Sequence, residues 1–157
     1  MKAIKQELKN NQVAECSITY KSKTPVKDRQ KITGSKDTYN LLKAIYNEDT
    51  IEHHEFFYII LLSKANSVLG FCKISEGGLD ATVVDTKIIL QFALLSNASG
   101  IILTHNHPSG NMQPSKADTE TTAKIVKAAK CLDIAVLDHI IVTIDQYYSF
   151  ADNGLMY

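Results

Sequence analysis

Apolar residues in this chain fall into runs of two kinds, and their periods separate strands from helices. FFYIILL at 56–62 is continuous and rich in β-branched and aromatic side chains, which predicts a strand buried on both faces. Asn66 and Ser67 mark a turn into VLGFCKIS at 68–75, the expected antiparallel partner, which Gly77 and Gly78 end. Asp85 is placed to cap a helix over TKIILQFALLSNA, with Ile88, Ile89, Phe92 and Leu95 as its apolar stripe and Gly100 as its stop. GIILT at 100–104 predicts a second buried strand. After a polar loop, a helix is predicted from 115 to about 132, turning Thr122, Ile125, Val126, Ala129 and Leu132 inward. IAVLD (134–138), IIVTI (140–144) and YYSF (147–150) all read as strands. Upstream, residues 1–12 have weak helical character, 14–22 alternate like a short strand and 23–35 form a polar connection. Ser35 then caps a helix carrying Leu41, Leu42, Ile45 and Tyr46. Strands and helices alternate through the middle and strands cluster at the end. The expected fold is α/β, a mixed sheet flanked by helices.

Composition narrows the picture. With 157 residues, 45% of them hydrophobic and 22% charged, the chain suffices for one core. No run approaches the roughly 20 apolar residues of a membrane span. The opening MKAIKQELKNN lacks the apolar stretch of a signal peptide. Cys16, Cys72 and Cys131 form no CxxC pair, which argues against a disulfide framework and a cysteine metal site. A cytoplasmic location and no membrane partner are expected.

Overall neutrality conceals an asymmetry. Residues 1–31 carry eight basic and three acidic side chains, a balance of +5, and the remainder is −5. The basic arm is a candidate contact for DNA or an acidic protein face; a solvated leader is the simpler reading.

The chemistry lies at 104–118. His105 and His107 are two apart at the end of a predicted strand, where both imidazoles point the same way and Asn106 points away. Pro108 favours extended backbone at His107. Eleven residues past His107, Asp118 sits in the first turn of the next helix, and the intervening loop, with two prolines and a glycine, allows it to fold back. Two histidines and a carboxylate leave a position open for water, the layout of catalytic zinc, with one ion per chain expected. Such a site needs a base, and Glu55 begins the strand expected to neighbour GIILT; Glu52 and Glu76 are alternatives. Ser115 is a candidate hydrogen-bond donor to an oxyanion, or equally an N-cap with Asp118 as its acidic third residue. His53 and His54 read as exposed residues. Asp138–His139 is either a carboxylate–histidine pair behind a metal ligand or a buried histidine satisfied by backbone. An HNH nuclease is excluded because its residues are dispersed through a ββα unit, and a cytidine deaminase because no PCxxC is present.

HxHP followed by SxxD resembles the JAMM motif of the JAB/MPN metalloproteases. HNHPSG (105–110) with PSKAD (114–118) is more closely similar to the RadC family, and EFFYIILL (55–62), EGGL (76–79), LDHIIV (137–142) and YSFADNG (148–154) extend the likeness from about 55 to 150. The resemblance implies a basic leader at 1–35 and a RadC-type JAB/MPN domain at 36–157. It implies a zinc-dependent hydrolase acting on a peptide or isopeptide bond of a peptide or protein substrate. It makes His105, His107 and Asp118 the zinc ligands, Glu55 the general acid/base and Ser115 the oxyanion donor. Ser63 stands where the family often has aspartate and Lys87 where it commonly has arginine, and residues 1–50 supply no helix-hairpin-helix-like region. A zinc-containing DNA-repair accessory that binds without turnover is the alternative.

Overall fold

A computed structural model describes residue 20 and residues 24–77 and 83–156. The helix expected at 1–12, most of the strand at 14–22, most of the basic arm and Cys16 lie outside the described residues, as do Gly78 and Leu79 of the EGGL segment.

Five strands form one sheet: β1 (Phe56–Leu62), β2 (Val68–Glu76), β3 (Gly100–Asn106), β4 (Ala135–Val142) and β5 (Tyr147–Ser149), ordered β2-β1-β3-β4-β5. Among the described residues three α-helices accompany it, α1 (Ser35–Ile45), α2 (Thr86–Leu95) and α3 (Lys116–Lys130). β3 and β4 are parallel, joined through α3, and the other pairings are antiparallel. The expected single α/β domain with a mixed sheet is what the chain forms.

The unbroken apolar run of β1 has a direct cause. Phe56, Ile60 and Leu62 pack in a cluster with Tyr39, Leu42 and Tyr46 of the α1 segment. Phe57, Ile59 and Leu61 face the other way, against Ile89 and Ala93 of α2 and Ile125 and Ala129 of α3. A strand covered on both sides has no use for alternation. All seven residues of β3 are buried for the same reason, the polar Thr104, His105 and Asn106 included. The core reaches back to Ile32, and Lys31 forms an isolated bridge with Ser67 beside β2.

Four expectations about the helices are corrected. Ser35 is the first residue of α1, not its cap: Gly34 takes that position, Asp37 accepts the Thr33 amide at 3.0 Å, and the Ser35 hydroxyl turns to Asp152 at 2.6 Å. α2 turns Ile89 and Ala93 inward, while Ile88 and Leu95 are exposed, because the helix meets the sheet along a narrower stripe than its apolar residues cover. α2 ends well before Gly100: Asn97 adopts φ 53° and the Ala98 amide closes on the Ala93 carbonyl, leaving Gly100 to start β3. On α3, likewise, Leu132 is exposed and lies past the last helical turn.

The strands expected at 134–138 and 140–144 are one strand, β4. Asp138 does not interrupt it because the carboxylate is satisfied inside the fold. Its Oδ1 accepts the amides of His139 at 2.7 Å and Ala151 at 2.9 Å, and its Oδ2 accepts the Ser149 hydroxyl at 2.7 Å.

Candidate metal centre

β3 ends where α3 begins, at the carboxyl edge of a parallel pair, the position at which open α/β sheets place their ligands. The His107 amide extends the ladder one step beyond β3, donating to the Val142 carbonyl at 3.1 Å. A turn then closes from the Gly110 amide to the His107 carbonyl at 3.0 Å, with Gly110 at φ 74°, where a side chain would be strained. This turn starts the chain back toward the sheet, where α3 opens.

Ser115 caps α3. Its Oγ accepts the Asp118 amide at 3.1 Å and Asp118 Oδ2 accepts the Ser115 amide at 2.7 Å, a complete capping box. The cap fixes the Asp118 carboxylate against the strand. Asp118 Oδ1 lies 3.3 Å from His105 Nε2 and Oδ2 lies 3.6 Å from His107 Nε2, while the two Nε2 atoms are 2.9 Å apart. Ligand atoms of His105, His107 and Asp118 all fall within 4.8 Å of one another, a set able to hold a metal ion. The period-two geometry of β3 brings the histidines together, and the capping box supplies the carboxylate.

Glu55 directly precedes β1, whose register sets Phe57 opposite His105. It stands outside the ligand triangle, on the wall of a cavity of about 350 Å³ that His107, Ser115 and Asp118 also line. The alternatives are elsewhere. Glu52 is exposed, and Glu76 is engaged by His54 at 2.9 Å and by Lys73. His53 is exposed, its ring Nδ1 2.9 Å from that of His54.

Charge in the cavity is uneven. Burial pushes the Glu55 carboxyl above its ordinary pKa, with Asp118 adding to the effect and the two histidines opposing it. Burial also resists ionisation of Asp118, but the adjoining His105 and His107 rings and the Ser115 amide hold its carboxyl far below the usual carboxylate range. For His107, burial alone favours the neutral ring; the Asp118 carboxylate and the Asn111 carbonyl outweigh it and raise the pKa.

Three neighbours were not foreseen in these roles. Asn106 points away from the metal centre, as expected, but its side chain holds the segment before β1: Oδ1 accepts the Phe56 amide at 2.7 Å, and Nδ2 donates to the carbonyls of Ile51 at 2.6 Å and His54 at 2.9 Å. Asn111 offers its carbonyl to His107 Nδ1 at 2.6 Å. His139 is fully buried, with its ring nitrogens beside His105 Nδ1 at 2.8 Å and Thr122 Oγ1 at 2.6 Å. Backbone does not satisfy this ring, and Asp138 meets only its amide. One sequence signal was available: Thr122, a polar residue in the inward stripe of α3, stands one turn after Asp118.

Among the described residues no helix is long and apolar enough to cross a membrane. The model of the RadC-like JAB domain matches residues 32–155. A UPF0758 protein of Flavobacterium johnsoniae is 41% identical over 126 residues, 80% of this chain and 54% of that protein. A UPF0758 protein of Fusobacterium nucleatum is 39% identical over 152 residues, 97% of this chain and 60% of that protein. One from Chlorobaculum tepidum is 36% identical over 126 residues. The chain thus spans a little over half the length of these curated relatives. With the match covering both the sheet and the His–His–Asp cluster, the chain belongs to the RadC-like JAB domain family.

Proposed function

We propose that this chain is a zinc-dependent hydrolase of peptide or isopeptide bonds, with His105, His107 and Asp118 holding the ion, Glu55 moving the proton and Ser115 hydrogen-bonding the oxyanion. The observation that carries the reading is the convergence of three ligand atoms within 4.8 Å beside a cavity walled by Glu55.

The donor set suits the ion. Two ligands held about 2.0–2.1 Å from a tetrahedral zinc stand roughly 3.3 Å apart. The separations of 2.9, 3.3 and 3.6 Å bracket that value. Bound zinc supplies a water of pKa near ~7 and polarises a carbonyl.

The chain's own groups support the remaining work. Glu55 is held at a raised pKa by burial, so its carboxylate is basic enough to take a proton and, once protonated, acidic enough to give it to a departing amine. Ser115 Oγ accepts the Asp118 amide, which leaves its hydroxyl proton for a substrate oxygen.

The test is metal content together with turnover. Mass spectrometry should find about one zinc per wild-type chain and none in His107→Ala or Asp118→Ala. Glu55→Gln should keep the metal and lose at least about 100-fold in rate on a panel of fluorogenic peptides and isopeptides. Full activity in Glu55→Gln, or a wild type that takes up no zinc when supplied with it, refutes the reading.

A further inference from the structure

With neutral rings, hydrogen-bond bookkeeping around His139 places each proton of the group. The Asp118 backbone carbonyl can only accept, and the Thr122 hydroxyl lies 2.6 Å from it, so the hydroxyl proton is committed there. Thr122 Oγ1 is also 2.6 Å from His139 Nδ1 and, its own proton spent, must accept; Nδ1 therefore carries hydrogen. In a neutral ring the other nitrogen is then a bare acceptor. His139 Nε2 is 2.8 Å from His105 Nδ1, which in turn must be the N–H. The remaining nitrogen of His105, Nε2, is left with its lone pair aimed at His107 and Asp118. His107 reaches the same state by a shorter route, its Nδ1–H donating to the Asn111 carbonyl at 2.6 Å. Both nitrogens facing the centre are metal-ready, and two lone pairs 2.9 Å apart repel unless a cation lies between them.

We propose that His139, oriented by Thr122, is a positioning residue that locks His105 in the tautomer able to bind metal. The proposal rests on the metal-holding role given to His105 above. The relay forms a ring: the backbone carbonyl of one ligand, Asp118, fixes through Thr122 and His139 the tautomer of another. A side chain needed only for packing would be different here. His139 is fully buried, stacked on Phe150 with centroids 4.7 Å apart and edge-on to Phe57 at 5.6 Å. An apolar ring or a leucine fills such a slot without the desolvation cost of two ring nitrogens. The histidine leads only to His105 on one side and Thr122 on the other. Ligating histidines ordinarily hand their second N–H to a carboxylate or a carbonyl. His105 sits on a central strand whose neighbouring backbone is already paired, and a second imidazole takes that part.

The experiment uses the full chain and three variants: Thr122→Val, which removes the hydroxyl at constant shape, His139→Leu, and His139→Gln, whose amide offers an acceptor to His105 and a donor to Thr122. Zinc affinity is measured by competition with a chromophoric chelator, and long-range 1H–15N spectra of the zinc-loaded protein identify which nitrogen of His105 bears hydrogen. The wild type should show His105 protonated at Nδ1. Thr122→Val and His139→Leu should weaken zinc about 10–100-fold, and His139→Gln should recover most of that loss. Thermal melting reports the folded fraction, and if His139→Leu does not fold, the Thr122→Val and His139→Gln pair decides. Wild-type affinity in the folded variants, or hydrogen on His105 Nε2, overturns the proposal while leaving the metal site standing. A wild type that binds no zinc refutes the metal reading itself.

Discussion

Asn106 shows how much one buried side chain can hold. It is fully buried, its three hydrogen bonds span the carbonyls of Ile51 and His54 and the amide of Phe56, and these bracket Glu55. Truncation to alanine orphans an amide and two carbonyls in the interior and frees the backbone on either side of the glutamate. Each buried group left unpaired costs about 1–3 kcal/mol, so Asn106→Ala should lose about 3 kcal/mol or more in urea unfolding. Its zinc content should match wild type, since Asn106 points away from the ligands, while hydrolysis falls with the displacement of Glu55. An unfolding midpoint within error of wild type would mean that the segment is held by other contacts.

At the scale of elements, the site depends on a turn and a cap. Gly110 sits at φ 74° in the turn that closes on His107, with open space where a Cβ would project, so an alanine there meets backbone strain rather than a clash. Gly110→Ala should therefore cost about 1 kcal/mol by thermal melting. Gly34→Ala, in extended backbone and equally open space, is the control and should change little. Equal effects would show that the left-handed geometry of the turn is dispensable.

Elements are also where the sequence was most and least readable. β1 could be read to the residue because a doubly covered strand is a continuous apolar run, and Asp85 and Ser115 announce their helices by capping chemistry. The clustering of His105, His107 and Asp118 was legible because the three residues lie on one strand end and the next helix cap, both local features. The end of α2 was misread because asparagine at Asn97 took the left-handed position for which glycine is the stronger sign. β4 was split at His139 because the polar pair Asp138–His139 interrupts an apolar run, and the partners that satisfy it, Ser149, Ala151 and Thr122 among them, lie eleven or more residues away. His139 meets Thr122 and His105 only once β4 has paired with β3 and α3 has packed on them. No pattern local to 138–139 contains that meeting.

Over the whole molecule, the proposed ion has a thermodynamic consequence. A ligand that binds the folded chain alone stabilises it by about 2.7 kcal/mol at 100 times its Kd. A domain of this length should then melt roughly 8 °C higher with zinc than after chelation. His107→Ala should show no zinc-dependent shift. A wild-type melting curve indifferent to both zinc and chelator would mean that the cluster holds no ion tightly.

The three proposed ligand residues span only fourteen positions, 105–118, whereas Glu55 lies fifty residues before the first of them, just ahead of a different strand. In the proposed hydrolase, metal capture and proton transfer are therefore encoded in separate stretches of gene. On that reading a single codon change at position 55 silences the chemistry and leaves the ion in place, whereas a change at His105, His107 or Asp118 removes both. Descendants of this fold can thus drift from enzyme to metal-bearing scaffold in one step, and a chain that has made that step keeps every residue of HxHP and SxxD. On the proposed mechanism, the residue before the aromatic start of β1 is the position that would separate the two fates among relatives.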